Sequence, residues 1–238
     1  MKPARLLNLN RLAYPEALAL MRGLVEAKRD PALPETLILT EHEPVMTMGR
    51  RAEEKDIPAG REALRARGIG LFRIERGGLV TYHGPGQLVA YPIFRLRALN
   101  IGVAEMVRSL EDVIILTLAD FGLIGRREPE HPGVWIGARK TASIGLAVRR
   151  AVTFHGLALN VNPDLSHFGL INPCGLTGTG ITSMSEESGS SPDPALIRTR
   201  LAVHFSRIFN LEFQPWSLEE ALTLAGNHGT TPAQTTLA

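Results

Sequence analysis

Residues 70–94 read GLFRIERGGLVTYHGPGQLVAYPIF. Three short runs rich in β-branched and aromatic residues, 70–75, 78–83 and 87–94, are set apart by Gly77-Gly78 and by Gly84-Pro85-Gly86. Such glycine pairs and triplets punctuate strands with turns, so the stretch reads as three consecutive β-strands. Upstream, residues 36–50, TLILTEHEPVMTMGR, open with another β-rich apolar run that breaks at Glu43-Pro44. Further out the period changes. Ala17, Leu20, Met21, Leu24 and Val25 recur at helical spacing between Tyr14 and Lys28, just after a proline near the start of the segment. Val103, Met106, Val107, Leu110, Val113, Ile114 and Leu118 line one side of a second helix reaching Phe121, and Leu196, Leu201, Val203, Phe205 and Ile208 mark a third over 194–209. Between the last two lie more strands, VWIG, TASIGLAVRR and HGLALNV. Strands gathered centrally with helices spaced among them predict an α/β (α+β) domain with a mixed sheet, not a regular βαβ series. One domain over residues 1–225 is expected. SEESGSSPDP (185–194) reads as a connector and GNHGTTPAQTTLA (226–238) as a polar, flexible tail.

Composition narrows the function classes. The 238 residues are 44% hydrophobic and 21% charged with a formal net charge of +2, an ordinary globular balance and not that of a nucleic-acid coat. No window approaches a membrane span, and the amino end lacks the apolar core of a signal peptide, so a cytoplasmic protein is expected. Cys174 is the single cysteine; it cannot close an internal disulfide or supply paired thiolates to zinc. The seven histidines form no HExxH-type cluster, and no metal is expected. Neither GxxxxGK[ST] nor GxGxxG occurs, and GTGITS at 178–183 follows no clear strand, which argues against a phosphate cradle.

Chemistry can still be carried at Cys174, whose neighbours Pro173 and Gly175 force irregular backbone and expose main-chain N–H groups. A reactive thiol needs a cation beside it, because a free one titrates near ~8.5; Lys140, His83 and His155 are the candidates. A buried, inert cysteine and hydrogen-bonded structural histidines are the competing readings. The glycines around residues 77–86 let backbone approach a ligand while Tyr82 and His83 stand at a strand end. Small residues Ala142 and Ser143 beside Lys140 leave room for a substrate.

Taken together, RGGLVTYHGPGQLVAYPI, GVWIGARKTASIG, TFHGLALNV and INPCGLTG followed by ITSM, with EPVMTMGR upstream, resemble the lipoyl(octanoyl) transferases over roughly residues 36–185. The resemblance implies a fold similar to the catalytic domain of biotin and lipoate protein ligases. It implies transfer of octanoyl from octanoyl-acyl carrier protein to a lysine ε-amine on lipoyl domains, those of 2-oxoacid dehydrogenase E2 subunits and of glycine cleavage H protein. The same resemblance makes Cys174 the thiol that carries the acyl group and Lys140 the residue that lowers its pKa. It assigns the acyl-pocket walls to Arg76, Gly77, Gly78, Leu79, Val80, Thr81, Tyr82 and His83, to Ser143, Ile144 and Gly145, and to Gly156, Leu157 and Ala158. No cofactor, nucleic acid or membrane is implied, and a monomer is expected. Thr141 stands where the family usually has isoleucine. An amidotransferase moving octanoyl between lipoyl proteins, an ATP-dependent ligase on the same fold and a non-catalytic lipoyl-binding module are the alternatives.

Overall fold

The computed structural model describes residues 1–129, 131–172 and 180–226. The strands are β1 (Lys2–Arg11), β2 (Glu35–Glu41), β3 (Val45–Met48), β4 (Gly70–Arg73), β5 (Val80–His83), β6 (Gln87–Ile93), β7 (Gly125–Arg126), β8 (Gly133–Ile136), β9 (Arg139–Arg149), β10 (Val152–Asn160) and β11 (Leu211–Pro215). The helices are α1 (Tyr14–Ala27), α2 (Gly60–Ala66), α3 (Leu96–Leu99), α4 (Val103–Ala119), α5 (Met184–Ser188), α6 (Pro194–Phe209) and α7 (Leu218–Gly226). Eight strands form one mixed sheet in the order β11-β1-β2-β6-β10-β9-β8-β7, and β4-β3-β5 form a second, smaller one. In the large sheet β1 runs parallel to both β11 and β2, while β2 onward to β7 pair antiparallel.

Period-two alternation sends the large sheet's side chains to two cores. Leu37, Leu39, Leu88, Ala90, Leu157 and Leu159 meet Leu110, Val113 and Ile114 of α4 and Leu201 and Phe205 of α6 on one face. Ile38, Val89, Tyr91 and Ala158 meet Leu20, Met21 and Leu24 of α1 and Ala221 of α7 on the other. The small sheet has its own core, where Met46, Met48, Val80 and Tyr82 pack on Leu64 of α2 and on Phe168. Burying such side chains contributes roughly 1.5–3 kcal/mol each, which is why amphipathic segments settle here as helices and strands.

The strands and helices expected over 70–94, 14–28, 103–121 and 194–209 are all present. Within α6, Leu196 and Val203 turn outward to solvent, whereas Leu201 and Phe205 and part of Ile208 serve the core together with Ile197 and Phe209. The connector expectation for 185–194 is corrected at its start. Residues 184–188 form α5, because the Ser183 hydroxyl caps the N–H of Glu186 and Gly189 closes the helix with left-handed backbone. Helix α7 runs to Gly226, one residue into the expected tail, whose remaining residues 227–238 lie outside the described ones. β1, β11 and α7, absent from the sequence reading, complete one end of the large sheet. Among the described residues no helix is long and apolar enough to cross a membrane.

Candidate active site

A narrow cavity of about 60 Å³ sits where the small sheet meets β6, β9 and β10 of the large one. Its walls are largely apolar: Ile74, Leu79, Val80, Val89, Ile144, Leu157 and Ala158. A wider groove of about 490 Å³ adjoins it, with Arg51, Val103, Val107, His131, Pro132 and Leu146 on its sides. Gly78, Leu79, Lys140, Ile144 and Gly145 line both spaces, so the cavity and the groove meet at Lys140.

Lys140, 3% exposed, is placed by β9 and held on several sides. Its Nζ donates to the Pro132 carbonyl at 3.1 Å and lies 4.7 Å from the centroid of the Trp135 ring on neighbouring β8. The register of β8 against β9 shifts between Val134 and Trp135, a bulge beside the lysine's own pairing with Trp135. The Lys140 backbone is pinned too: its N–H donates to Gly180 O and its C=O accepts from Thr182 N–H, both at 2.9 Å. Residues 180–182 thus run alongside the lysine, immediately downstream of 173–179. Cys174 belongs to that segment and lies outside the described residues.

At the far side of the cavity stand polar rings. Tyr14, His83, Tyr91 and His155 line it, and His42 backs Tyr91. The His42 Nδ1 lies 2.7 Å from Leu12 O; a carbonyl only accepts, so Nδ1 carries the proton and Nε2 accepts from the Tyr91 hydroxyl at 2.7 Å. Burial holds both imidazoles neutral, pushing His42 down to about 4 and His83 to about 3. His155 is likewise lowered by burial, and its Nε2 stays 3.6 Å from Glu75, beyond hydrogen-bond length. Neutral His83 and His155 cannot supply the fixed positive charge considered for the thiol. That leaves the Lys140 amine.

Of the residues expected on the pocket walls, Arg76, Gly78, Leu79, Val80, Thr81, His83, Ser143, Ile144, Gly145, Gly156, Leu157 and Ala158 line the cavity, and Gly77 lines the groove. Tyr82 departs from that expectation. It does not line the cavity; it is buried in the small sheet's core, where its hydroxyl meets His167 Nδ1 at 2.8 Å and its ring packs on Phe168. The Arg76 guanidinium is buried in the wall, donating to Thr47 Oγ1 at 3.0 Å and to Gly77 O at 2.9 Å. Its stem requires glycine at 145, since a Cβ there would lie 2.8 Å from Arg76 Cδ. Tyr14 and Tyr91 were not read from the sequence as wall residues. The alternating strand QLVAYPI carried a signal for Tyr91; Tyr14 carried none, because it enters from the first turn of a helix far away in sequence.

A family model described as the lipoyl protein ligase A/B catalytic domain matches residues 13–206, a span that holds the whole cavity. The chain belongs to that family. Within it, the chain is 44% identical over 206 residues to an octanoyltransferase of Alkaliphilus metalliredigens, covering 86% of this chain and 94% of that protein. It is 41% identical over 220 residues to an octanoyltransferase of Syntrophobacter fumaroxidans, with 92% and 96% covered. The fold is shared with a crystal structure of lipoate-protein ligase A bound with ATP, at a TM-score of 0.74, 17% identity and 95% and 94% coverage.

Proposed function

We propose that this member of the family is an octanoyltransferase that takes octanoyl from an acyl carrier protein thioester and delivers it to a lysine ε-amine of a lipoyl domain. One observation carries the reading: a narrow, apolar cavity ends at the buried Lys140 amine, in a chain 44% identical to a named octanoyltransferase. Apolar walls suit a saturated chain, which gains roughly 0.8 kcal/mol per buried CH₂.

In the proposed sequence the Cys174 thiolate attacks the thioester carbonyl, the C–S bond to the carrier breaks, and the carrier thiolate leaves and takes up a proton. A thioester replaces a thioester, so the step needs no ATP. The lipoyl-domain amine then attacks the acyl-cysteine, an amide forms, Cys174 leaves as thiolate, and the proton lost by the amine passes to a base. Lys140 serves the first half-reaction as a cation beside the thiolate and, once deprotonated, is the base of the second. A reducing, cytoplasmic setting keeps such a thiol available.

Incubating the protein with octanoyl-carrier protein and a lipoyl domain, and weighing both by intact mass, tests this. Octanoyl adducts are expected first on the enzyme and then on the acceptor, with neither forming in Cys174→Ala. Transfer by Cys174→Ala that depends on ATP and free octanoate would point instead to a ligase. No adduct on any protein would leave only a binding role.

A further inference from the structure

Glu111 is a charged residue in the middle of α4 and only 5% exposed, packed among the residues of the helix's apolar face. One of its oxygens, Oε2, accepts from Arg127 Nε at 3.0 Å. The other, Oε1, accepts from the N–H of Gly133 at 3.2 Å. That N–H belongs to the Pro132–Gly133 peptide, whose C=O is the acceptor of Lys140 Nζ at 3.1 Å. Carboxylate, peptide and amine therefore stand in line across a single planar unit. The peptide has little freedom to move. Gly133 holds φ 135°, and a Cβ there would lie 2.3 Å from Ala142 O and 2.8 Å from Lys140 Cε. The same peptide is thus pressed against the lysine's stem as well as bonded to its tip.

We propose that Glu111 is a positioning residue that fixes the Lys140 amine at the junction of cavity and groove through the Pro132–Gly133 peptide. A hydrogen bond donated to a carboxylate polarises the peptide, and its carbonyl then accepts more strongly from the lysine. The proposal rests on the transferase reading for what the amine does, while the geometry it invokes is independent of the substrate. The competing account is a strut: Glu111 ties Arg127 and Gly133 to α4 and has no bearing on Lys140.

Full-length Glu111→Leu and Glu111→Gln decide between them by two readouts. The first needs no substrate. Reductive methylation followed by peptide mass spectrometry should label Lys140 faster in Glu111→Leu than in the wild type, with Glu111→Gln intermediate because its amide oxygen still accepts from Gly133. The second is kinetic. Misplacing a reacting group by ~1 Å costs on the order of 10²-fold, so kcat for octanoyl transfer should fall by about that factor in Glu111→Leu, with KM for the carrier little changed and partial rescue by glutamine. In a Lys140→Met background the leucine change should cost nothing more. Unchanged Lys140 labelling in both variants would overturn the proposal, as would a loss that adds in full to that of Lys140→Met. Should Glu111→Leu not fold, the near-isosteric glutamine variant carries the labelling test. A wild type that labels as expected but transfers no octanoyl would sink the transferase reading and leave the positioning intact.

Discussion

Thr141 follows Lys140 in β9 and is completely buried, yet its hydroxyl has no hydrogen-bond partner among the described residues. It is the position where the sequence resemblance sets isoleucine. Thr141 lines neither cavity nor groove, so the hydroxyl is a cost to the fold and not a feature of the pocket. A buried hydroxyl left unpaired loses about 1–3 kcal/mol relative to one that is paired or absent. Thr141→Val should therefore raise the Tm and leave the octanoyl-transfer rate unchanged. Thermal unfolding of the two proteins side by side checks this, and a lower Tm for the valine variant would mean that the hydroxyl is satisfied by water. At this scale sequence reading worked by motif. RKTAS and RGGLVTYHGPG delivered most of the wall, because those residues are contiguous. Glu111 was invisible, since nothing in VRSLEDVII announces that one acid faces a loop 22 positions ahead.

Elements were legible where one period dominates. α1, α4 and α6 each keep an apolar stripe, and β6 and β10 are buried throughout and largely apolar because both faces are covered. β1, KPARLLNLNR, was missed: it buries only Ala4 and Leu7 fully and otherwise reads as mixed polar chain. The β9–β10 hairpin turns at Arg150-Ala151, both left-handed at φ 53° and 61°, with neither Gly nor Asn to signal it. Element junctions also hold the neutral histidines, His42 just after β2 and His83 at the end of β5, and their burial has a pH consequence. An exposed imidazole titrates at 6.5, whereas the folded protein holds these at about 4 and about 3. Below 6.5 the unfolded chain therefore binds more protons than the folded one. Stability from this source is complete above 6.5 and is lost as pH falls through the folded values. The Tm should be flat near neutrality and decline already between pH 6.5 and 4.5, before most carboxylates protonate. His42→Gln should make that decline shallower. A wild-type Tm that holds constant down to pH 4.5 would contradict neutral burial of both rings.

For the whole molecule the question is how a chain of net charge +2 would attract acidic carriers. Several of the chain's arginines are already paired or buried. Arg149 and Arg150 both pair with Glu26, Arg126 pairs with Glu128, Arg127 with Glu111, and Arg76 is buried in the cavity wall. One-to-one ion pairs present little net field to an approaching partner; the Glu26 cluster, which Arg29 also joins, keeps positive charge but lines neither cavity nor groove. Arg50 and Arg51 differ, being exposed with no side-chain partner among the described residues, and Arg51 lines the groove that leads to Lys140. Long-range attraction acts mainly on association and is screened beyond roughly 8 Å at physiological salt. For octanoyl-carrier protein, kcat/KM should accordingly fall as ionic strength rises. Changing Arg50 and Arg51 together to glutamine should flatten that dependence, while the same change at Arg149 and Arg150 should leave its slope almost intact because neither of them lines the groove. Equal slopes for the two double variants would show that attraction comes from the summed charge and not from this pair. A flat wild-type profile with transfer intact would assign docking to shape and apolar contact along the groove, where Val103 and Val107 stand beside Arg51.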